Sequence, residues 1–471
     1  MSDRRAWVRL DNASNIFLAA MSDVDTKVFR ISAELDDVVD PVLLQQALEI
    51  VYDQYVLYHS VLRRGVFWYY LEESELRPEV TDDVLPPCDH LYHFDRHNLL
   101  FRVMHHDRRI ILEVLHALTD GTGASWVLHD LVREYVRLRH PEEWGESPLD
   151  GGQPGAPALP TRVKHGLDPD SFGAFHPRQP RQFAVAAEPA PLQAEGAVEG
   201  SAPAAVAAAT PPRHLVAHDL FRRGRRRVHR VRGHLNPDHR TRIIELTMPV
   251  GQVLPLARAQ GVSLTVYLTA LFLHAIRDVD AETAAGRTMA VSVPVDLRQR
   301  FGSRSARNFF ATTRLEHCQS DDSFDAMCTS LARQLAEQTT PAALEAKLRK
   351  LIGFEHHPIG RVLPRPLKDL VLGAVNRLNN RNLTVAMTNI GRVSFPDPVD
   401  AHVGAVHLAV SAARPQFSMA SHGDLLTVDF TSPFTETAHQ TAFVRELTER
   451  GVQVTVAAVK VTADELAAVA P

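Results

Sequence analysis

The chain has 471 residues, 45% of them hydrophobic and 23% charged, with a formal net charge of −5. At roughly 100–200 residues per domain this length predicts two to four domains with ample core, and the acidic balance argues against a nucleic-acid-binding protein. Cys88, Cys318 and Cys328 show no metal or redox spacing, so a reducing, cytoplasmic setting is expected. The first residues are charged without an apolar run after them, which predicts no secretory signal. The longest greasy run, Ser263 to Ile276, falls short of the ~20 residues a membrane span needs.

Pro41 to Tyr55 reads as a helix with Asp40 as N-cap and Pro41 at its first position. Val66 to Leu71 is aromatic and strand-like. Arg109 to Leu115 is short, β-branched and mostly apolar, the pattern of a buried strand. Thr122 to Arg139 carries apolar residues at helical spacing. Between these two lies His116-Ala-Leu-Thr-Asp120-Gly121, a strand-to-turn-to-helix corner. It holds an imidazole at the strand's end and a carboxylate four residues on, and Gly121 is expected to let the backbone turn sharply. An imidazole on a rigid element suits proton abstraction, because an unperturbed pKa of about 6.5 leaves it largely neutral near pH 7.

Residues 1–145 thus read as a first lobe. From 146 to 225 the chain is dominated by Ala, Pro, Gly and small polar residues, the composition of a flexible linker or insertion. Seven arginines fall between Arg222 and Arg232. The reading is a solvated linker end or, alternatively, a cationic mouth that attracts an anionic ligand or an acidic partner.

Residues 226–471 read as a second lobe. Arg242 to Pro249 is strand-like, and Gly251 to Gln260 is a short helix ended by Gly261. Ser263 caps a helix that is apolar nearly all round, hence buried. Thr288 to Val295 is a core strand running into Asp296-Leu-Arg298, and Ser323 to Gln338 is a helix. Asn382 to Val393 is a strand containing Thr388-Asn389-Ile390-Gly391. Gln416 to Ala420 and Leu425 to Thr431 flank a Ser-His-Gly-Asp hairpin turn. Ala438 to Arg450 is a helix stopped by Gly451, and Val452 to Val461 alternates as a last strand. The fold class is α/β, with mixed strands and helices in two lobes.

The His116 hexad, Ser292-Val-Pro-Val-Asp296-Leu-Arg298 and Arg307-Asn308-Phe309-Phe310, taken together, resemble the chloramphenicol-acetyltransferase-like acyltransferase superfamily. That group includes the condensation domains of non-ribosomal peptide synthesis. The alcohol-acetyltransferase-like branch is the most similar, through Trp7-Val-Arg-Leu-Asp11-Asn12-Ala13 and Gly261-Val-Ser-Leu-Thr-Val-Tyr-Leu-Thr-Ala-Leu. The resemblance spans the chain except for residues 146–225.

The resemblance implies a two-lobed fold with a tunnel between the lobes. An acyl thioester, on CoA or on a carrier protein's phosphopantetheine, enters from one face and a small alcohol or amine, such as a specialised metabolite, from the other. It implies His116 as general base, with Asp120, Gly121 and Arg298 bracing the site and Asp120 moving no proton. No cofactor is implied beyond the thioester cosubstrate. The Thr388 side chain and the Gly121 N–H are the candidate oxyanion donors. Many members carry a second histidine before the base; Leu115 stands there, which lowers the match to peptide-bond-forming condensation domains. A competing reading is a non-catalytic, condensation-like scaffold in a biosynthetic pathway, which retention of His116, Asp120, Gly121 and Arg298 disfavours.

Two plainer readings sit beside these. His105, His106, His116, Asp120 and His129 offer metal-ligand types, but a histidine closing a strand and an aspartate in a turn do not share a helix face, so no metal is expected. Phe67-Trp68-Tyr69-Tyr70 reads as core packing before an acceptor-site lining.

Overall fold

The computed structural model describes residues 7–144, 227–236, 241–318, 323–355 and 364–458. The expected linker at 146–225, and Arg222 to Arg226, lie outside the described residues.

The first half runs β1 (Trp7–Arg9), α1 (Asn12–Ala20), β2 (Val28–Leu35), α2 (Pro41–Tyr52), β3 (Ser60–Arg64), β4 (Tyr69–Glu73), β5 (Val80–Asp82), β6 (Phe101–His106), β7 (Arg109–Leu115) and α3 (Gly121–Arg139). The Asp40 carboxylate accepts from the Val42 and Leu43 N–H groups, capping α2 as its sequence predicts. The helix stops at Tyr52, not Tyr55, and a separate helical turn follows at Val56–His59. The strand expected from Val66 begins only at Tyr69. Gly65 N–H donates to the Trp68 carbonyl at 2.8 Å, closing a turn so tight that a Cβ at Gly65 would lie 2.7 Å from that oxygen.

The second half runs β8 (Arg242–Pro249), α4 (Val250–Ala259), α5 (Leu264–Val279), β9 (Met289–Asp296), β10 (Phe310–His317), α6 (Phe324–Gln338), α7 (Pro341–Glu355), α8 (Arg365–Arg381), β11 (Val385–Arg392), β12 (Val403–Val410), β13 (Gln416–His422), β14 (Leu425–Ser432), α9 (Ala438–Glu449) and β15 (Thr455–Ala458). Gly261 follows α4 with φ +66°, the left-handed conformation that ends a helix, and the Ser263 hydroxyl accepts from Val266 N–H to start the next. The last strand begins at Thr455, not Val452, and pairs with β8 at the sheet edge; residues 459–461 of the expected strand lie outside the described residues.

Two sheets carry the architecture. A five-stranded sheet has the order β12-β2-β7-β6-β5, and a seven-stranded sheet the order β10-β9-β11-β13-β14-β8-β15. α2 and α3 bury Leu44, Val51, Leu131 and Val132 against the first, and α5 buries Leu268, Leu271 and Phe272 against the second. Each such side chain contributes about 1.5–3 kcal/mol of hydrophobic stabilisation.

β12 belongs to the second half of the chain yet pairs antiparallel with β2 from Val403↔Leu35 to Val410↔Phe29. It also reaches the other sheet: the Leu408 N–H donates to Asp429 Oδ2 at 2.7 Å, and His407 Nδ1 meets Asp429 Oδ1 at 2.8 Å. This strand fastens the two sheets together. Among the described residues no single helix is long and apolar enough to cross a membrane.

Candidate active site

The corner predicted from sequence is present. β7 ends at Leu115, His116 follows, and Asp120 caps α3 by accepting from Gly123 N–H at 3.0 Å. The His116 main chain is held on both sides. Its N–H donates to the Lys27 carbonyl at 2.8 Å, and its carbonyl accepts from Asn308 Nδ2 at 2.8 Å. Lys27 itself sits at φ 57°, a left-handed conformation uncommon for a residue with a side chain. Phe17 stacks on the imidazole at 4.1 Å and Phe29 meets it edge-on at 5.1 Å.

Asp120 and Arg298, which the resemblance pairs, form a buried ion pair. Arg298 Nη1 donates to Asp120 Oδ2 at 2.9 Å and to Asp296 Oδ1 at 3.0 Å. Its Nε donates to the Ser305 carbonyl and its Nη2 to the Arg307 carbonyl. Asp120 Oδ2 also accepts from Phe309 N–H at 2.9 Å, so both carboxylate oxygens are engaged. Asp120 and Arg298 are 5% and 4% exposed, and an ion pair so deep survives only with its hydrogen bonds satisfied. Burial works to lower the Arg298 pKa, but Asp120 and Asp296 hold it above its ordinary value.

Gly121 plays a different part from the one expected. It opens α3 without a positive φ, and a Cβ there would meet only Ile390 Cγ2 at 3.4 Å, an ordinary contact. Gly123 is the constrained glycine: a Cβ would fall 2.2 Å from Thr119 Oγ1 and 2.4 Å from the Ala306 carbonyl. The helix start and the Ser305–Phe309 segment approach so closely that no side chain fits between them.

His116 borders a cavity of ≈ 250 Å³ between the sheets. Phe17, Lys27 and Phe29 contribute from one side, and Pro294, Phe310 and Thr388 from the other. Burial pushes the His116 pKa below the ordinary histidine value, while the Asp120 charge pulls the other way. Burial thus favours the neutral ring. Its Nδ1 is enclosed and, among the described residues, has no partner at hydrogen-bond geometry.

Sequence reasoning quoted Asn308 without reading its part, which is to clamp the His116 carbonyl and the Ser14 hydroxyl together. It also passed over Lys27 and Arg414, which line the same cavity. The other histidines do not converge on His116: His105 faces Asp82 at 3.2 Å, and His129 stacks on Phe395 at 5.0 Å. Three groupings of metal-ligand side chains occur among the described residues, and none contains His116 or Asp120. The aromatic run lies away from the cavity: Trp68 is flanked by Arg9 at 3.2 Å and Lys368 at 3.4 Å, and Tyr69 is buried.

No family model matches the sequence, and no curated protein matches it. Solved structures do. TRI3 trichothecene 15-O-acetyltransferase from Fusarium sporotrichioides superposes with a TM-score of 0.59 at 10% identity, over 96% of this chain and 95% of that one. F. graminearum TRI101, complexed with coenzyme A and deoxynivalenol, gives 0.58 at 11% identity, over 95% and 99%. The first condensation domain of the CDA synthetase gives 0.54 at 15% identity, over 95% and 96%. Matches of this depth over nearly full length, at such low identity, establish architecture. The chain has the two-lobed fold of the chloramphenicol-acetyltransferase-like acyltransferases and condensation domains.

Proposed function

We propose that the protein is an acyltransferase that moves an acyl group from a thioester, on CoA or a carrier protein, to an alcohol or amine. The observation that carries this reading is an imidazole set in the wall of a cavity that two sheets share, where burial favours its neutral form. Neighbouring folds point the same way, since one was solved with coenzyme A and another is a condensation domain.

In the proposed step His116 takes a proton from the acceptor's O–H or N–H through Nε2, since Nδ1 is sealed in. The acceptor's lone pair forms a bond to the thioester carbonyl carbon, and the carbonyl electrons move onto oxygen. Thr388, across the cavity, donates a hydrogen bond to that oxyanion. The tetrahedral species collapses, the C–S bond breaks, and the thiolate takes the proton back from the imidazolium. Nothing is oxidised or reduced, and no cofactor enters. Asp120 moves no proton, because both of its oxygens are committed to Arg298, Phe309 and Gly123.

The test is a panel of acyl-CoA donors against pooled alcohols and amines, read by thiol release. With His116→Ala the rate drops about 10²–10⁴-fold while the melting temperature stays near that of the parent. Full activity in His116→Ala would remove His116 as the base. Absence of transfer from every donor in the parent protein would favour the scaffold reading instead.

A further inference from the structure

The cavity wall contains two cationic side chains, Lys27 and Arg414, and Arg298 holds two of its carboxylates from behind; the three charges are balanced very differently. Lys27 pairs with Asp25, and Arg298 pairs with Asp120 and Asp296. Arg414 has no carboxylate within ion-pair distance among the described residues. Its one hydrogen-bond partner there is the neutral Asn380 side-chain carbonyl. A guanidinium drawn out of water needs an anion, and burial pulls the Arg414 pKa down, with only the more distant Asp25 opposing.

The placement of Arg414 is fixed. It lies on the segment from Ser411 to Pro415 that carries the chain from β12 in one sheet to β13 in the other. One end is tied down by the Ser411 N–H to the Val28 carbonyl at 3.0 Å, and the other by the Ala386 N–H to the Pro415 carbonyl at 3.3 Å. Preceding a proline, Arg414 is itself confined to extended backbone. A planar guanidinium on a stiff segment is preorganised for two-point contact with a carboxylate. Gln416, Ser411 and Asp25 border the cavity beside it, with the Ser411 hydroxyl donating to Asp25 Oδ1 at 3.3 Å.

We propose that Arg414 is the specificity-determining residue of the cavity and that one of the two substrates carries a carboxylate which pairs with it. The proposal rests on the acyl-transfer reading and refines it: the donor is a dicarboxylic acyl thioester, or the acceptor is a hydroxy or amino acid. Both supply the same anion to the same arginine. Asn380 accepts from the guanidinium on one side and holds its plane for the incoming oxygens.

Two arms separate the sources. In the donor arm, succinyl-CoA is compared with butyryl-CoA against a pool of simple alcohols and amines. In the acceptor arm, hydroxy and amino acids are compared with their primary amides, using acetyl-CoA. In one arm kcat/KM favours the carboxylate by roughly 10- to 100-fold, the worth of a charged hydrogen-bonded pair. Arg414→Gln brings that ratio close to one and Arg414→Lys keeps part of it. Circular dichroism confirms that each variant is folded.

Calorimetric titration with succinyl-CoA, butyryl-CoA, and carboxylic acids beside their amides gives the same discrimination without turnover. A protein that binds the carboxylate selectively but transfers nothing therefore sinks the acyltransferase reading and leaves the anion site standing. Equal binding of carboxylate and neutral probes to the parent protein overturns the anion site. So does Arg414→Gln weakening free CoA as much as succinyl-CoA, because the arginine then serves the nucleotide.

Discussion

Arg298 stands behind the cavity, holding Asp120 and Asp296 of its wall, whereas Arg414 lines the cavity itself. Arg298 touches two carboxylates and two main-chain carbonyls, and every contact lies within the protein. Among the described residues Arg414 hydrogen-bonds to one amide. The first arginine is finished by folding, and the second is left for something that arrives later. A buried charge satisfied internally serves architecture; one left unmatched at a cavity serves recognition, because its desolvation is offset only when a ligand binds.

The sharpest test of that contrast is thermal. Arg298→Met strands the Asp120 carboxylate and is expected to cost about 3–5 kcal/mol, the usual penalty for removing one partner of a buried pair. Arg414→Met strands no charge and is expected to change stability by no more than about 1 kcal/mol. Chemical denaturation of both variants measures the difference. Equal losses would mean that Arg414, like Arg298, is structural. A smaller effect separates the two glycines of the corner. Gly123→Ala must push apart Thr119 and the Ala306 carbonyl, an overpacking cost of about 1–3 kcal/mol. Gly121→Ala adds a methyl in ordinary contact with Ile390 and leaves stability nearly unchanged. The reverse order would place the close approach elsewhere.

The corner was legible because its parts are close in sequence and its chemistry is local. A β-branched run, an imidazole, and a carboxylate four residues on before a helical pattern are readable from residues 109–139, whereas the structure adds that this aspartate caps the helix. The brace between Asp120 and Arg298 needed the resemblance as well, since no local pattern links residues 178 positions apart. The unpaired arginine was not legible at all. Arg414 gains its meaning only because β12 leaves the second half of the chain to pair with β2, and the return to β13 passes the cavity. β12 reads as a short apolar run with no period that names its partner. Gly121 misled for a related reason: glycine at a turn suggests a special φ, whereas the close approach at Gly123 depends on Ala306, far along the chain.

The smallest expected effect concerns pH and divides the cavity's cations once more. In the proposed step only a neutral His116 can accept a proton, and burial holds its pKa below the ordinary value of about 6.5. The acid limb of kcat/KM is therefore expected below that of an exposed histidine. The same shift contributes to stability. The folded ring binds fewer protons than the unfolded one, so its contribution is complete above the unfolded value and is lost as pH falls through the folded one. After burial, the charges that act on the ring are Asp120, which favours protonation, and Lys27, which opposes it. Lys27→Met removes the opposing charge and moves the acid limb upward. Arg414 is not among the charges that shift the ring, so in Arg414→Gln the limb stays where it was even as the preference for a carboxylate is lost. A pH–rate profile of the two variants on one neutral substrate pair measures this. An acid limb displaced by Arg414→Gln as far as by Lys27→Met would put the arginine at the base itself, and the separation between recognition and chemistry within this cavity would be gone.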